Sequence, residues 1–251
     1  MKNIYLICIV LLGFQACDDK LAVYTDKYTY YDDISDIAYM NGYIYSTNYD
    51  LSGNSGPQID LLRFSGNGSV LENAFPLELN GQGYMAMAGD GQDIFLQSRR
   101  TNLLFRYSAI GEFASMVDDQ IEDNWFASGI SYIPEKDSLF VLYRNLNQLD
   151  QYRGRMLSKW FVHDNGTDVT GTWTFLDTGY HGAYCMTYKD GWFYILGVDV
   201  DGLDILFRTG YDFQPEFLPL PLDSTVVGVT FKGDSLVFAH RNRSFEFLGV
   251  Y

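Results

Sequence analysis

A short pattern of apolar and polar positions recurs five times along the chain. Each copy begins with an apolar strand, passes through a turn rich in Gly, Asn and Asp, and returns as a second apolar and aromatic strand. Residues 36–45 and 185–194 are two such copies, with Asn41-Gly42 and Asp190-Gly191 at their turns. These dipeptides supply the positive φ that tight β-hairpins require. The pattern therefore predicts five equivalent hairpins.

A third strand follows the hairpin in four of the five copies, and it carries a basic residue at one fixed place. These residues are Arg63, Arg106, Lys159 and Arg208. Repeats of this length built from short strands predict an all-β protein, a β-propeller. Equivalent cations around such a ring predict either salt bridges between blades or apolar stems lying along the surface.

The turn positions divide the chain into five predicted blades, of which the fifth has only three strands. The predicted strands are 36–40, 43–47, 59–65 and 70–77 in the first blade; 84–88, 94–97, 103–108 and 113–117 in the second; 129–133, 139–143, 156–162 and 171–176 in the third; 183–188, 192–197, 205–209 and 216–220 in the fourth; and 226–231, 236–239 and 245–251 in the fifth.

The missing outer strand of the last blade has a candidate near the other end of the chain. Residues 21–24, continuing through 28–30, have a strand-like pattern and are expected to pair beside 245–251. This pairing would close the ring and cover an edge that otherwise invites aggregation. Four blades with a flanking hairpin are the alternative, and too few residues remain for a sixth blade. We expect one propeller domain over residues 21–251.

One segment also resembles a known family. Residues 101–113, Thr-Asn-Leu-Leu-Phe-Arg-Tyr-Ser-Ala-Ile-Gly-Glu-Phe, are similar to the third-to-fourth strand segment of NHL-type and related six-bladed propellers. The resemblance covers nearly all of residues 36–251, although we count five blades. Known relatives include scaffolds, ligand binders and some hydrolases and lactonases, so the resemblance implies a fold and no single function.

The first residues of the chain have the pattern of a targeting segment. Lys2 precedes an apolar run over residues 4–14 that is too short to span a bilayer. The run ends near Ala16-Cys17, which resembles the lipobox of bacterial lipoproteins, in which the cysteine is lipidated and becomes the new N-terminus. We expect a signal peptide over 1–16, lipidation of Cys17 and a short tether over 17–20. An ordinary secretory signal with an unmodified cysteine is the alternative.

These features predict a domain outside the cytoplasm, in a bacterial cell envelope and attached to a membrane only through its lipid, with the outer membrane favoured. The formal net charge of −15 argues against nucleic-acid binding, which requires a basic face. Once Cys8 is removed and Cys17 is acylated, only Cys185 remains, so no intrachain disulfide is expected. We expect a monomeric domain without a cofactor.

The predicted binding surface lies where the loops after the second strands meet the loops before the first strands. Arginine with aromatic neighbours is a common composition at recognition surfaces. We therefore predict a binding or scaffolding module for a protein partner or an envelope glycan; loop arginines paired with nearby acids are the alternative. The predicted ligand contacts are Arg99, Arg100, Trp125, Arg144, His181, His240, Arg241 and Arg243.

Catalysis on this chain is the second hypothesis, as a glycoside hydrolase or a lactonase-like hydrolase. The sequence lacks a Gly-x-Ser-x-Gly elbow and a His-Glu-x-x-His motif. A propeller glycosidase needs two carboxylates facing each other across the pocket. Asp36 and either Glu122 or Asp123 are the candidates, but residues 84–88, where such enzymes place another carboxylate, carry no acid. No catalytic residue is assigned.

Two further patterns resemble sites without completing them. Asp199, Asp201 and Asp204 alternate as in a calcium loop but lack its terminal Glu and flanking helices, so an acidic hairpin loop is favoured and no metal is assigned. Three serines follow Asp and precede an apolar residue or Thr, as in an O-glycosylation signal of some Gram-negative bacteria. Turn chemistry alone produces the same pattern. These serines are Ser138, Ser224 and Ser235.

Overall fold

The computed structural model places short antiparallel strands along nearly the whole of the chain that it describes. The one described helix is a single 3-10 turn at Pro134–Lys136. The described residues are 33–49, 59–77, 85–98, 101, 103–118, 121, 124–148, 151–158, 167–174, 180–199, 201–212, 214, 216–218, 222, 225–241 and 244–249.

These residues form five antiparallel sheets, numbered here in chain order. In each sheet the strands pair with their neighbours along the chain. The strands are β1 Asp33–Met40, β2 Tyr43–Tyr49, β3 Ile59–Ser65 and β4 Leu71–Leu77 in sheet one; β5 Met85–Gly89, β6 Asp93–Ser98, β7 Leu103–Ser108 and β8 Phe113–Asp118 in sheet two; β9 Trp125–Ile133, β10 Ser138–Asn145, β11 Gln151–Ser158 and β12 Thr167–Thr174 in sheet three; β13 Tyr180–Lys189, β14 Trp192–Asp199, β15 Asp204–Thr209 and β16 Glu216–Leu218 in sheet four; and β17 Val226–Lys232, β18 Ser235–His240 and β19 Phe245–Gly249 in sheet five.

The first strands of the sheets contact one another in a circle. β1 contacts β5, β5 contacts β9, β9 contacts β13, β13 contacts β17, and β17 contacts β1 again. Small antiparallel sheets arranged around a common axis in this way form a β-propeller. The all-β, propeller-type fold predicted from the repeats is therefore confirmed.

A separate hydrophobic cluster fills each interface between neighbouring sheets. The interface between sheets five and one has its own cluster, like the others: Phe245, Val237, Phe64 and Ile37 belong to it. The rings of Phe64 and Phe245 lie 5.0 Å apart at 65°, an edge-to-face contact. The last sheet thus packs directly on the first.

The hairpin turns have the backbone geometry that the sequence predicts. Asn41 and Gly42 have φ of 52° and 86°, and Asp190 and Gly191 have φ of 51° and 88°. Two successive positive φ values match the twist of the flanking strands, as in a type I′ turn. In sheet three the turn is the 3-10 segment, which Asp137 closes with φ of 47°.

The outer half of sheet three differs from the prediction. Its third and fourth strands are β11 and β12, which start four to five residues earlier than the expected 156–162 and 171–176. Tyr152 is fully buried, and a Cβ at Gly154 would overlap the ring of Phe140, so packing brings this segment into the sheet. Met156 now stands opposite Phe140, as Arg63 stands opposite Tyr45 in sheet one. Lys159 lies outside the described residues.

The repeated arginines form ion pairs within their own sheets. Arg63 Nη2 lies 3.6 Å from Glu72, Arg106 Nε donates to Asp93 at 2.7 Å, and Arg208 Nη2 lies 2.8 Å from Glu216. In each pair the two residues belong to adjacent strands of one sheet. These three ion pairs therefore lie within sheets and do not bridge neighbouring blades, in contrast to the first of the two predicted alternatives.

Two other expectations fall outside the described residues. These are the lipidated Cys17 with its signal segment and the N-terminal strand over 21–24 and 28–30. Sheet five has three strands among the described residues, so an outer partner for β19 stays a prediction. No helix in the described part of the chain is long and apolar enough to cross a membrane.

Candidate functional site

A pocket of about 140 Å³ lies on the axis where the first strands end at their hairpin turns. We call this side of the ring the hairpin face, and the opposite side, with the loops between second and third strands and between sheets, the loop face. All five first strands contribute to the pocket wall. Its lining residues are Ile37, Ala38, Tyr39, Met87, Ala88, Gly89, Ile130, Ser131, Tyr132, Pro134, Met186, Thr187, Tyr188, Thr230 and Phe231.

Strand register places the lining residues in two tiers. The outer tier, which we call the aromatic tier, pairs with the second residue of each following strand and consists of Tyr39, Gly89, Tyr132, Tyr188 and Phe231. The next residues inward, which we call the small-residue tier, are Ala38, Ala88, Ser131, Thr187 and Thr230. The pocket therefore has a mouth rich in aromatic rings above a layer that carries three hydroxyl groups.

Hydrogen bonds anchor the two tiers. Thr230 Oγ1 accepts from the backbone N–H of Tyr39 at 3.2 Å, which joins sheet five to sheet one. The Tyr132 hydroxyl donates to Asp137 Oδ1 at 2.6 Å, and the Tyr188 hydroxyl donates to Glu135. The two phenol groups are thus held by acids of the hairpin turn, and their rings remain at the pocket wall.

Neighbouring turns are also linked across the sheets on the hairpin face. Asn41 Nδ2 donates to Gly91 O at 2.7 Å, and Lys189 Nζ donates to Gly233 O at 2.6 Å. Lys189 also forms an ion pair with Asp234, and this hydrogen-bonded ammonium lowers the pKa of the exposed carboxyl. These contacts hold the turns around the pocket mouth in fixed positions.

One tyrosine beside this face has a strongly shifted pKa. Burial, together with the negative charge of Glu135, raises the pKa of Tyr211 to about 12. The Lys136 ammonium lies 3.9 Å from the centre of the Tyr211 ring, a cation–π distance. Tyr211 packs edge-on against Phe193 at 5.2 Å and so belongs to the interface between sheets three and four.

On the loop face, much of the predicted contact set lies outside the described residues. Two of its members, Trp125 and Arg144, are both on sheet three but on opposite sides of it. Trp125 pairs with Asn145, is 3% exposed and packs against sheet two. Arg144 pairs with Tyr152 and reaches the sheet-four residue Gly182 on the other side. The residues of the set that are not described, or only through their backbone, are Arg99, Arg100, Arg243 and His181, of which His181 lies in β13.

His240 and Arg241 lie together at the end of β18. His240 is 8% exposed, with Nδ1 2.9 Å from Thr225 Oγ1 and Nε2 3.6 Å from Glu246 Oε2. The backbone N–H of Arg241 donates to Thr225 O at 2.7 Å, and its side chain is exposed. In the described residues His240 therefore connects strands within sheet five, and Arg241 presents a cation to solvent.

Two features of these sites were missed in the sequence. The guanidinium of Arg153, which is not in the predicted contact set, lies 4.8 Å from the centre of the Trp125 ring. The aromatic tier was missed as well, although its signal is present. Tyr39, Tyr132, Tyr188 and Phe231 each occupy the same register position before a turn. The pocket wall is made of strand residues, which the pattern of loop residues alone does not reveal.

The candidate catalytic carboxylate that the structure describes is enclosed. Asp36 is 0% exposed, and its two oxygens accept from Ile37 N at 2.9 Å and from Met87 N at 3.2 Å. The second bond crosses from sheet one to sheet two, so this side chain links two first strands. The other candidates, Glu122 and Asp123, lie outside the described residues.

The acidic loop after β14 has turn-forming contacts. Asp199 Oδ1 accepts from Asp201 N at 2.9 Å and from Leu203 N at 2.8 Å, and Tyr184 donates to Asp204 at 2.9 Å. No three His, Cys, Asp or Glu side chains of the described residues are grouped so that they can hold a metal ion. Ser138 donates to Lys136 O at 2.8 Å within its own turn. Ser235 begins β18, and Ser224 is not among the described residues.

Solved structures with the same fold are known. A chain of the nidogen/laminin complex has a TM-score of 0.55 at 12% identity, over 87% of this chain and 81% of that chain. A protein of unknown function from Bacteroides thetaiotaomicron VPI-5482 has a TM-score of 0.54 at 10% identity, over 83% of this chain and 57% of that one. No protein-family model and no curated protein matches the chain. At such identities the likeness supports the propeller fold and does not carry a function with it.

Proposed function

We propose that this protein is a lipid-anchored, five-bladed β-propeller of a bacterial cell envelope. It acts as a binding or scaffolding module for a protein partner or an envelope glycan. Residues 21–24 and 28–30 complete the last blade beside β19, and the lipid on Cys17 tethers the domain to a membrane. The observation that carries the proposal is the packing of sheet five directly on sheet one, through Phe245 and Phe64.

This packing matters because it makes the sheets a rigid frame. A frame with a packed cluster at each interface holds the loops of separate sheets in fixed relative positions, so little conformational entropy is lost when a partner binds. The nidogen/laminin structure is a complex of two proteins, which agrees with a propeller used for partner binding. The proposed contacts on the loop face are Arg99, Arg100, Trp125, Arg144, His181, His240, Arg241 and Arg243.

A pull-down with arginine variants tests the binding role. The full chain is solubilised in detergent from its native cells, and co-purifying proteins and glycans are identified for the wild type and for the Arg144→Ala/Arg241→Ala double variant. Arg208→Ala is the control, because Arg208 pairs with Glu216 on the outer strands of sheet four. We expect the same partner with the wild type and the control, and its loss from the double variant. Equal recovery from all three would remove the loop face as the contact surface.

Mass spectrometry of the mature N-terminus tests the anchor. We expect the mature chain to begin at Cys17 with acyl mass, and Cys17→Ala to leave the membrane fraction. A mature chain that begins elsewhere, or that lacks acyl mass, contradicts the lipoprotein assignment. Hydrolysis of a polysaccharide by the wild type that is lost in Asp123→Ala would overturn the binding role in favour of the hydrolase.

A further inference from the structure

The axial pocket on the hairpin face combines aromatic rings with small hydroxyl side chains, and none of its lining residues is charged. We propose that this pocket binds one neutral sugar ring, such as the terminal unit of a glycan. The site lies on the opposite side of the ring from the arginines of the loop face, and it stands independently of them.

Charge and size decide the ligand class. None of the residues that line the pocket is Asp, Glu, Lys, Arg or His, and the chain as a whole carries a net charge of −15. An ionic ligand would lose its hydration shell there without a counter-charge among the lining residues, and the acids Glu135 and Asp137 at the turns would also repel an anion. The volume of about 140 Å³ is below the range of roughly 300 to 1,000 Å³ for drug-sized ligands, so a single ring fits the pocket better than a chain of units.

The hydroxyl layer gives the pocket its polar contacts. Ser131 is 4% exposed, and its hydroxyl makes no hydrogen bond to another described residue. Thr187, at the equivalent position of the next sheet, also has no hydrogen-bond partner among the described residues. Ser131 is buried and Thr187 is half-buried, and both line the pocket, so a ligand that pairs with both hydroxyls can gain about 0.5–1.5 kcal/mol from each hydrogen bond.

The first strands supply a second set of polar groups. Each is the innermost strand of its sheet and has a partner on one side only, so alternate backbone N–H and C=O groups point toward the axis. Thr230 takes one of them, the N–H of Tyr39. A sugar hydroxyl both donates and accepts, so it can pair with either backbone group and with a serine or threonine hydroxyl.

The aromatic tier supplies the apolar part of recognition. Tyr132 and Tyr188 have hydroxyls that are bound to turn acids, so their rings are held in place at the pocket mouth. Tyr39 and Phe231 add two more rings at the same register position. The C–H faces of a sugar ring are apolar and pack on aromatic rings, while its edge carries the hydroxyls. This division matches the two tiers of the pocket.

Saturation-transfer NMR on the full chain in detergent tests the proposal. The probes are the methyl glycosides of glucose, galactose, mannose and N-acetylglucosamine, with methyl glucuronide as the charged comparison. We expect saturation transfer to at least one neutral glycoside and none to the glucuronide. Thr187→Val and Ser131→Ala should each weaken binding about tenfold, the effect of losing one hydrogen bond to the ligand.

Ser115→Ala is the matched control. Ser115 lies on the outer strand β8, away from the pocket, and its hydroxyl also lacks a partner among the described residues. Its removal should leave sugar binding unchanged. A second pocket variant, Phe231→Leu, keeps an apolar side chain but removes a ring, and it should also weaken binding. Thermal melting of each variant shows that it is folded before its affinity is compared.

Three outcomes overturn the proposal. They are the absence of transfer to every neutral glycoside, unchanged affinity in Thr187→Val and Ser131→Ala, and preferred binding of the glucuronide. Testing each variant in the assay for the other site distinguishes the axial pocket from the loop face. Thr187→Val should retain the partner recovered through the loop face, and the Arg144→Ala/Arg241→Ala variant should retain the sugar.

Discussion

The inner and outer strands of the sheets use their polar side chains in different ways. On the inner strands, Asp36 bonds from sheet one to sheet two, Ser128 donates from sheet three to Ala183 O at 2.8 Å, and Cys185 donates from sheet four to Val227 O at 2.9 Å. On the outer strands, ion pairs such as that of Arg208 lie within one sheet. The buried bonds near the axis therefore hold neighbouring sheets together, whereas the outer charges stabilise single sheets and keep the surface soluble.

The largest effect is expected when the contact between the last and first sheets is removed. Phe245 is 1% exposed between these sheets, and Phe245→Ala should lower the free energy of unfolding by about 3–5 kcal/mol through lost burial and the cavity left behind. Phe113 on the outer strand β8 is 54% exposed, and Phe113→Ala should cost about 0.5 kcal/mol. Denaturant unfolding measures both values. Equal losses of unfolding free energy would mean that the contact between sheets five and one contributes no more to stability than an exposed outer strand.

A carboxylate can be removed from each region for a second test. Asp36→Ala leaves two buried backbone N–H groups without their acceptor, and we expect a loss of about 3 kcal/mol in the free energy of unfolding. Glu216→Ala removes the acid of an exposed pair with Arg208, which should cost less than about 1 kcal/mol. The same unfolding assay applies to both variants. A similar cost for the two would contradict a special role for the inner bonds.

The close approach of the last inner strand to the first gives a third test. A Cβ added at Gly228 would lie 2.9 Å from Ile37 N and 3.1 Å from Asp36 Cα, so the backbone must shift. We expect Gly228→Ala to cost about 2 kcal/mol, as other overpacking changes do. Gly89→Ala, also on an inner strand, meets its nearest atom at 3.4 Å and serves as the control with a small effect. Melting temperatures of the two variants give the comparison.

The smallest effect concerns a residue at the boundary of the two regions. The pKa of Tyr211 in the folded chain is about 12, above the ordinary value of 10.0, so above pH 10 the unfolded chain loses this proton first. Stability that this tyrosine contributes is thus complete below pH 10 and falls as the pH rises toward 12. In Tyr211→Phe this part of the alkaline decline should disappear, which unfolding curves at pH 8 and pH 11 can measure. An unchanged decline would show that other groups carry it.

The part of the fold that the sequence predicts best is local. The turn residues Asn41, Gly42, Asp190 and Gly191 set hairpin geometry by themselves, and the third strands 59–65 and 103–108 agree with β3 and β7. The outer half of sheet three could not be predicted from local pattern, because the position of β11 depends on contacts of Tyr152 and Gly154. The Tyr152 hydroxyl accepts a hydrogen bond from Ala183, which is distant in the chain, and Gly154 lies against Phe140 on the neighbouring strand.

The sites are less predictable than the strands. Trp125 and Arg144 are both predicted ligand contacts by sequence, but alternation along paired strands points them to opposite sides of sheet three. The axial pocket depends on five strands that are far apart in the chain and meet only when the sheets close into a circle. Its residues, such as Ser131 and Thr187, look like ordinary strand residues until that register is known.

The thiol of Cys185 can report on opening of the interface between sheets four and five. It is 0% exposed on an inner strand and is bonded across the interface between sheets four and five. A thiol reagent can reach this sulfur only when those two sheets separate, so the rate of its labelling measures how often that interface opens. Comparing this labelling rate with and without a bound partner or sugar would show whether binding at either face makes the interface open less often.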